Sequence, residues 1–253
     1  MKRIIGFLVS LAILLGLWEF AASSSTKIAF LFASPSRIVE TLFKKIGSGE
    51  LVLDSVITGY EALLGLILGV VIGSAIGFLL LYFPKSGSIP RFYLFALGAI
   101  PVYGIAPMMI IWFGTGISMK VAMAFFSTVF VSISQSLQGG KTVKREDDEF
   151  FRLNQASKRD MFWKLTFPAS IEWIIQSLRL NTGLAILGAF IGEFIASNQG
   201  LGYRILRASG LYDVAYVLAA IICISLLTLA FNGLVVLMNR NKRRIVRYFS
   251  LKM

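Results

Sequence analysis

Six apolar stretches limit what this chain can fold into. Each holds about 18 residues or more, enough for a helix to cross the bilayer. Inside the hydrocarbon, backbone polar groups find partners only within their own segment, so each stretch is predicted to be a helix. The sequence therefore predicts an all-α membrane protein with about six transmembrane helices in one domain, 1–253, with core helices between 55 and 238. The stretches cover roughly 4–22, 55–83, 92–113, 117–137, 171–197 and 214–238.

Basic residues indicate how the chain lies in the membrane. They are most frequent at the N-terminus, in 84–91, in 139–168 and after 238, which are segments on one side of the predicted helices. Because Lys and Arg stay on the cytoplasmic side, both termini and the central loop are predicted to be cytoplasmic. The net charge of +12 is spread over separate loops, so no nucleic-acid partner is predicted. The first stretch is long for a cleaved signal, which favours an uncleaved first helix over 4–22.

Residue usage excludes most catalytic chemistry. The chain has no His and a single Cys, Cys223, so no metal, catalytic or cofactor site is predicted. Residues 139–142 read Gly-Gly-Lys-Thr and imitate the end of a phosphate-binding loop. That motif needs Gly five residues before its second Gly, where this chain has Gln135. Any ATP that drives this protein must therefore be bound by a partner subunit.

The longest polar interval between apolar stretches runs over 139–168. Apolar and charged side chains alternate at helical spacing over 150–159, and a second apolar face begins at Met161. Two short helices joined by a turn are predicted. The pattern alone leaves two interpretations open, namely a solvated linker and a surface that binds a soluble partner.

A second amphipathic segment, 34–47, follows the first helix. Ser34 and Pro35 give a helix start signal, and apolar residues then recur at helical spacing against charged ones. We expect this segment to be an external helix lying along the membrane surface.

The second apolar stretch carries glycine at every fourth position. Glycine costs about 1 kcal/mol relative to Ala in a helix, so a repeated glycine face indicates close approach of a neighbouring helix. We therefore predict a helix-packing role for these residues, which are Gly65, Gly69, Gly73 and Gly77.

Two further stretches contain candidates for a translocation path. Pro101 and Pro107 fall within the third stretch, where they predict either a structural kink or a path-lining segment. Arg179 and Glu193 fall within the fifth, on the same helix face and about 21 Å apart. Ionisable residues at membrane depth face a partner or a water-filled path. Both interpretations stay open here, with Glu172 as one partner for Arg179.

The segment 139–168 resembles the EAA loop of ABC importer permeases. That signature is Glu-Ala-Ala, with Gly a few residues later and a closing Leu-Pro pair. Here Glu149 holds the Glu position, Phe150 and Phe151 replace the alanines, and Gln155 stands at the Gly position, followed by Ala156, Ser157 and a closing Phe167-Pro168. The family's Gly permits a tight turn that a side chain would strain. The run from Ser177 to Tyr203 and the string ASPSRIVETL also resemble the nitrate, sulfonate and taurine branch of this family.

The resemblance implies a function and a set of partners. It implies a type I ABC importer permease fold whose cytoplasmic coupling helix docks onto separate ABC ATPase subunits. It further implies a second permease subunit, expected to be a copy of this chain, an external solute-binding protein, and a place in the cell inner membrane. The solute is not indicated.

Two other classes of function stay in view. A self-sufficient secondary transporter or channel would be supported by inverted repeats, and none are found. An intramembrane enzyme would need a cluster of catalytic groups that this sequence lacks.

Overall fold

A computed structural model describes residues 2–83 and 89–240 of the chain. Within these residues the secondary structure is helical, with no strand, which confirms the all-α prediction. A 3₁₀ turn spans Val102–Ile105, and a π-helical turn spans Phe162–Thr166. The α-helices are α1 (Lys2–Ser24), α2 (Thr26–Phe32), α3 (Pro35–Gly47), α4 (Glu50–Tyr82), α5 (Ile89–Gly98), α6 (Ala106–Phe113), α7 (Ile117–Lys141), α8 (Arg145–Leu153), α9 (Lys158–Met161), α10 (Phe167–Ile195), α11 (Leu201–Gly210) and α12 (Val214–Arg240).

Five segments of the described chain are long and apolar enough to cross a membrane. They match five of the six predicted spans and are Ile5–Ser24, Glu50–Tyr82, Ile117–Lys141, Lys158–Ile195 and Val214–Leu237. The basic stretches 84–88 and 241–253, which entered the orientation prediction, lie outside the described residues.

The prediction of one continuous helix over 92–113 is wrong. The chain forms α5, leaves helical geometry at 99–101, and resumes with the 3₁₀ turn and α6. Pro101 is the extended residue before the 3₁₀ turn, and Pro107 lies in the first turn of α6. Proline inside a helix removes a hydrogen bond and clashes with the preceding turn, at a cost of about 3 kcal/mol. At a helix start the missing N–H has no intrahelical partner to lose, so the chain divides here into shorter pieces.

Helices α4, α7 and α10 form the centre of the bundle and pack against one another more extensively than the other helices. The glycines of α4 face α7 across a very short gap. A Cβ atom added to Gly73 would lie 2.6 Å from the Val129 carbonyl oxygen, and one added to Gly77 would lie 2.5 Å from the Ser136 Cβ. These separations leave no room for a side chain, so the glycines set how closely the two helices approach.

The outer end of the bundle is defined here as the end where α4 begins and α10 ends. Helices α3 and α11 both lie there, because each contacts α4 and α12. Ser34 caps the start of helix α3, and its hydroxyl accepts from the Arg37 N–H at 3.4 Å. The Glu19 carboxylate of α1 accepts from the Ser36 N–H at 2.9 Å and from its hydroxyl at 2.7 Å. These bonds attach α1, whose side chains are mostly exposed, to the rest of the outer end.

Candidate functional site

The segment 139–168 lies at the inner end of the bundle, opposite α11. It contains α8, a turn at 154–157, the short α9 and the π turn that leads into α10. The predicted pair of short helices joined by a turn is therefore present. The Ser157 hydroxyl caps α9 by accepting from the Asp160 N–H at 3.1 Å, and Pro168 lies in the first turn of α10.

Gln155 occupies the position that ends α8. Its φ of 53° lies in the left-handed region that favours glycine. The Gln155 N–H donates to the Arg152 carbonyl, and the Ala156 N–H donates to the Phe151 carbonyl, both at 3.0 Å. Together these two bonds form a Schellman motif, the common glycine-dependent end of a helix. The glycine-type turn is thus kept with a glutamine in it, at a cost of about 1 kcal/mol.

Helix α8 presents apolar side chains to its surroundings. Phe150 is 63% exposed and Leu153 is 83% exposed, whereas Phe151 is half-buried. Glu149 lies on the exposed surface and pairs with Arg145 at 2.8 Å. A second pair within the helix joins Arg152 to Asp148 at 2.7 Å. Helix α8 thus combines a charged surface with two strongly exposed apolar side chains.

Aromatic side chains join this segment to the membrane helices. The Phe167 and Phe162 rings lie 5.1 Å and 5.8 Å from the Phe78 ring, measured between centroids. The Phe162 ring also lies 5.6 Å from the Tyr82 ring. Aromatic pairs at this distance add about 0.5–1.5 kcal/mol beyond their area burial. A force on the segment would therefore pass to the inner end of α4 as well as to α10.

A second polar region lies within the outer half of the bundle. We call it the outer polar cluster. It comprises side chains of α4, α7, α10 and α11, of which all but Arg204 are buried, and its members are Asp54, Thr58, Glu61, Lys120, Glu193 and Arg204. Buried groups of this kind must be hydrogen-bonded or paired to be tolerated.

Three side chains of the outer polar cluster hold the start of α11. The Gly200 N–H donates to Asp54 Oδ1 at 2.7 Å, and the Leu201 N–H donates to Thr58 Oγ1 at 3.0 Å. The Gly202 N–H donates to Glu193 Oε2 at 2.7 Å. Since the first N–H groups of a helix lack intrahelical partners and carry partial positive charge, two carboxylates and a hydroxyl suit them well.

No residue with a side chain fits at the two glycine positions of this junction. Gly200 has a φ of 97°, and a Cβ atom there would collide with the Glu193 carboxylate. A Cβ atom on Gly202 would lie 2.5 Å from the Phe190 carbonyl oxygen. The Gly-Leu-Gly sequence therefore lets the chain pass directly over the buried carboxylate.

The remaining members of the outer polar cluster lie near its carboxyl groups. Arg204 pairs with Asp54 through its Nε. The Glu61 carboxyl group faces that of Glu193, and Lys120 lies near both. The Lys120 ammonium donates to the Thr115 carbonyl, and Glu61 Oε2 has no hydrogen-bond partner among the described residues.

The structure separates the four candidate path residues. Pro101, Pro107 and Arg179 are exposed on the chain, whereas Glu193 is buried in the outer polar cluster. Arg179 forms none of the salt bridges found within 2–83 and 89–240. The burial of Glu193 favours the interpretation in which it meets a structural partner.

Sequence reasoning missed most of the outer polar cluster. The sequence pattern assigns no role to Glu61, and it does not distinguish Asp54, Thr58 or Lys120 from their neighbours. The signal shared by Asp54, Glu61 and Lys120 is an ionisable side chain in an otherwise apolar helix, which requires a buried partner. The sequence does not show which of these helices are neighbours.

The architecture defines a class of protein, an all-α, multi-pass membrane protein with two polar regions. The particular family follows from comparison with known proteins. The chain belongs to the family described as binding-protein-dependent transport system inner membrane component, whose model matches residues 65–244. The members are ABC importer permeases, which are transport proteins rather than enzymes, so the chain is a membrane permease of this kind.

Two relatives show how far the similarity extends. The chain is 31% identical over 221 residues to the formylaminopyrimidine transport permease protein ThiX of Halalkalibacterium halodurans, with 85% of each chain covered. It is 29% identical over 236 residues to the riboflavin transport system permease protein RibX of Chloroflexus aurantiacus, with 93% of this chain and 88% of the relative covered.

Proposed function

We propose that this chain is the transmembrane subunit of an ATP-driven importer of a small solute. A second permease subunit, expected to be another copy of this chain, completes the translocation path. An external solute-binding protein delivers the solute, and separate ABC ATPase subunits bind the ATP. The family supports this proposal, because its description makes transport dependent on a binding protein. Both termini and segment 139–168 then lie in the cytoplasm of the cell, on the inner face of its membrane.

The exposed apolar face of α8 carries the coupling part of the proposal. Phe150 and Leu153 protrude from a loop that is otherwise charged. Burying each of them in a groove of the ATPase contributes about 1.5–3 kcal/mol. Glu149 lies on the exposed surface of the same helix, where it adds a charge for recognition. A short amphipathic helix in a hydrophobic groove is an established mode of protein recognition.

The exposure of three candidate residues supports a translocation path between the two subunits. Pro101 and Pro107 are exposed at the break between α5 and α6, and Arg179 is exposed on α10. Surfaces that the single chain leaves open are available to a second copy and to the solute between the copies. We therefore retain Pro101, Pro107 and Arg179 as path candidates, and we assign Glu193 to the scaffold.

The coupling proposal is tested on the assembled transporter in lipid nanodiscs. We expect Glu149→Lys and Leu153→Ser to leave insertion and expression intact and to abolish ATP hydrolysis stimulated by solute-loaded binding protein. Glu40→Lys and Phe43→Ser are matched controls, because both residues are exposed on α3 at the outer end. Normal stimulation in the two α8 variants would refute docking through this helix.

A further inference from the structure

Two buried carboxyl groups face each other close to the start of α11. Glu61 of α4 is 1% exposed and Glu193 of α10 is 0% exposed, and their carboxyl groups lie within hydrogen-bonding reach of each other. A hydrogen bond between two carboxyl groups requires a proton on one of them, because an ionised carboxylate only accepts. Two ionised carboxylates in this position repel each other, and paired acids relieve that repulsion by sharing one proton.

The charges of the outer polar cluster lead to the same conclusion. Its members carry three carboxyl groups and two basic groups. Arg204 forms an ion pair with Asp54 and neutralises it. Lys120 is the other basic member and lies near both Glu61 and Glu193. If both glutamates were ionised, the cluster would bury a net negative charge. A buried charge without a counter-charge is costly and is removed by taking up a proton.

The charged and titratable groups around the cluster leave this balance unchanged. Glu50, near the start of α4, pairs with Lys45 of α3 at 3.0 Å and accepts from the Tyr216 hydroxyl of α12 at 2.9 Å. Helix α12 also brings the thiol of Cys223 close to Ser55 of α4. A thiol and a tyrosine hydroxyl are both uncharged at neutral pH. Neither group supplies the missing positive charge.

Hydrogen bonding indicates which of the two glutamates carries the proton. The Glu193 carboxylate accepts from the Thr58 hydroxyl at 2.6 Å and from the Gly202 N–H at 2.7 Å. Two donors stabilise an ionised carboxylate. Glu61 Oε2, by contrast, has no hydrogen-bond partner among the described residues. An unpartnered oxygen costs less in a neutral acid than in a carboxylate, so the proton belongs on Glu61.

We propose that Glu61 and Glu193 form a proton-binding site, in which Glu61 is protonated at neutral pH and donates to the Glu193 carboxylate. The backbone at Gly200 closes over this site, since a Cβ atom there would collide with the Glu193 carboxylate. Release of the proton to water places two negative charges together beside the start of α11. The start of α11 should therefore loosen at alkaline pH. This site is independent of the partners that the proposed function assigns.

Infrared spectroscopy of the full-length protein in lipid nanodiscs detects the proton directly. A protonated carboxyl group has a C=O stretching band that shifts in D₂O and is distinct from the bands of carboxylates. We expect this band in the parent at neutral pH, and we expect it to disappear at alkaline pH and in Glu61→Gln. Glu40→Gln is the matched control and should keep the band, because Glu40 is exposed on α3. Absence of the band from the parent, or its survival in Glu61→Gln, would overturn the proposal.

Thermal unfolding tests the placement of the proton. Glu61→Gln keeps a group that donates to the Glu193 carboxylate, so it should retain the melting temperature of the parent at neutral pH. Glu193→Gln replaces an acceptor of the Thr58 and Gly202 hydrogen bonds with an NH₂ group, so its melting temperature should fall. The opposite order of the two variants would overturn the assignment of the proton to Glu61.

Hydrogen exchange tests the effect on α11. The amides to follow are those of Gly200, Leu201 and Gly202, which donate to side chains of the cluster. Comparison of the parent with Glu61→Gln at the same pH cancels the intrinsic pH dependence of exchange. We expect equal protection at mildly acidic pH. At alkaline pH the parent should lose protection relative to Glu61→Gln, by up to about tenfold per pH unit for one released proton. Equal protection throughout would overturn the proposal.

A change of the neighbouring positive charge provides a separate measurement. Lys120→Met removes the basic group near both glutamates, so the pair should hold its proton more firmly. We expect the infrared band and the protection of α11 to persist to higher pH in this variant than in the parent. Lys44→Met, exposed on α3, is the matched control and should behave as the parent does. An unchanged transition in Lys120→Met, or one at lower pH, would contradict the proton site.

Discussion

The Thr58 hydroxyl of α4 donates to the Glu193 carboxylate of α10 at 2.6 Å, within the buried outer half of the bundle. The same hydroxyl oxygen accepts from the Leu201 N–H at 3.0 Å. One side chain thereby joins two membrane helices and the start of α11. The relationship explains how a carboxylate is accommodated in an apolar bundle, since each of its oxygens receives a hydrogen bond.

The first prediction concerns this bond. Thr58→Val keeps the shape of the side chain and leaves both the carboxylate and the Leu201 N–H short of a partner. We expect a loss of about 2 kcal/mol in the free energy of unfolding, measured by SDS denaturation in mixed micelles. Thr228→Val is the control, because among the described residues that hydroxyl donates to the Ile224 carbonyl of its own helix and to no other group. Equal stability of the two variants would contradict a special role for Thr58.

The second prediction concerns the glycine that passes over the carboxylate. Gly200→Ala introduces both a strained left-handed residue and a collision with Glu193. We expect a loss of about 2 kcal/mol or more in the free energy of unfolding, together with faster amide exchange at the start of α11. Gly210→Ala, at the other end of α11, meets nothing within 4 Å and should be neutral or slightly stabilising. A Gly200→Ala protein as stable as the parent would show that the α10–α11 junction is pliable.

The third prediction concerns the contact between α4 and α7. Gly69→Leu and Gly73→Leu force a side chain into the backbone and side chains of α7, so assembly should fail or the melting temperature should fall sharply. Gly16→Leu on α1 is the matched control, because a side chain there meets nothing within 4 Å. Thermal unfolding of the purified proteins distinguishes the cases. A Gly73→Leu variant as stable as the parent would contradict the close contact between α4 and α7.

The fourth prediction concerns the turn that ends α8. Gln155→Gly removes the strain of a left-handed glutamine and should stabilise the turn by about 1 kcal/mol. Amide exchange at position 155 and at Ala156 should become slower in consequence. Asn154→Gly is the control, since Asn154 has a negative φ and its side chain donates to the Phe150 carbonyl at 2.8 Å. That variant should exchange faster than the parent, and the opposite order would contradict the strain at Gln155.

The sequence allowed the periodic parts of this protein to be predicted and left its tertiary pairings unknown. Long apolar runs gave five of the spanning helices, and the alternating pattern gave α3 and α8, because both signals depend only on local spacing. The prediction of one continuous third helix failed because hydropathy measures only how apolar a segment is. It does not show that Pro101 and Pro107 divide the segment into shorter helices. The outer polar cluster could not be predicted, for a different reason. Its members are up to 150 residues apart in the chain, so only the packing of α4, α7 and α10 brings them together.

The last prediction concerns the face of α10 that carries Arg179 and Glu193. Sequence spacing puts both on one side of the helix and leaves open whether that side borders the path or packs against the scaffold. Thr182, Ile186, Ala189 and Glu193 are buried within the single chain, and Arg179 is exposed.

Single cysteines at these five positions, in a Cys223→Ser background, test the alternatives in the assembled transporter. A membrane-impermeant thiol reagent applied from outside should leave positions 182, 186, 189 and 193 unmodified, with and without nucleotide trapped on the ATPases. Position 179 should react when the cytoplasmic face is opened to the reagent, and the exposed Glu40→Cys should react from outside in every state. Modification of position 186 or 189 in any nucleotide state would place the translocation path along this face and remove it from the scaffold.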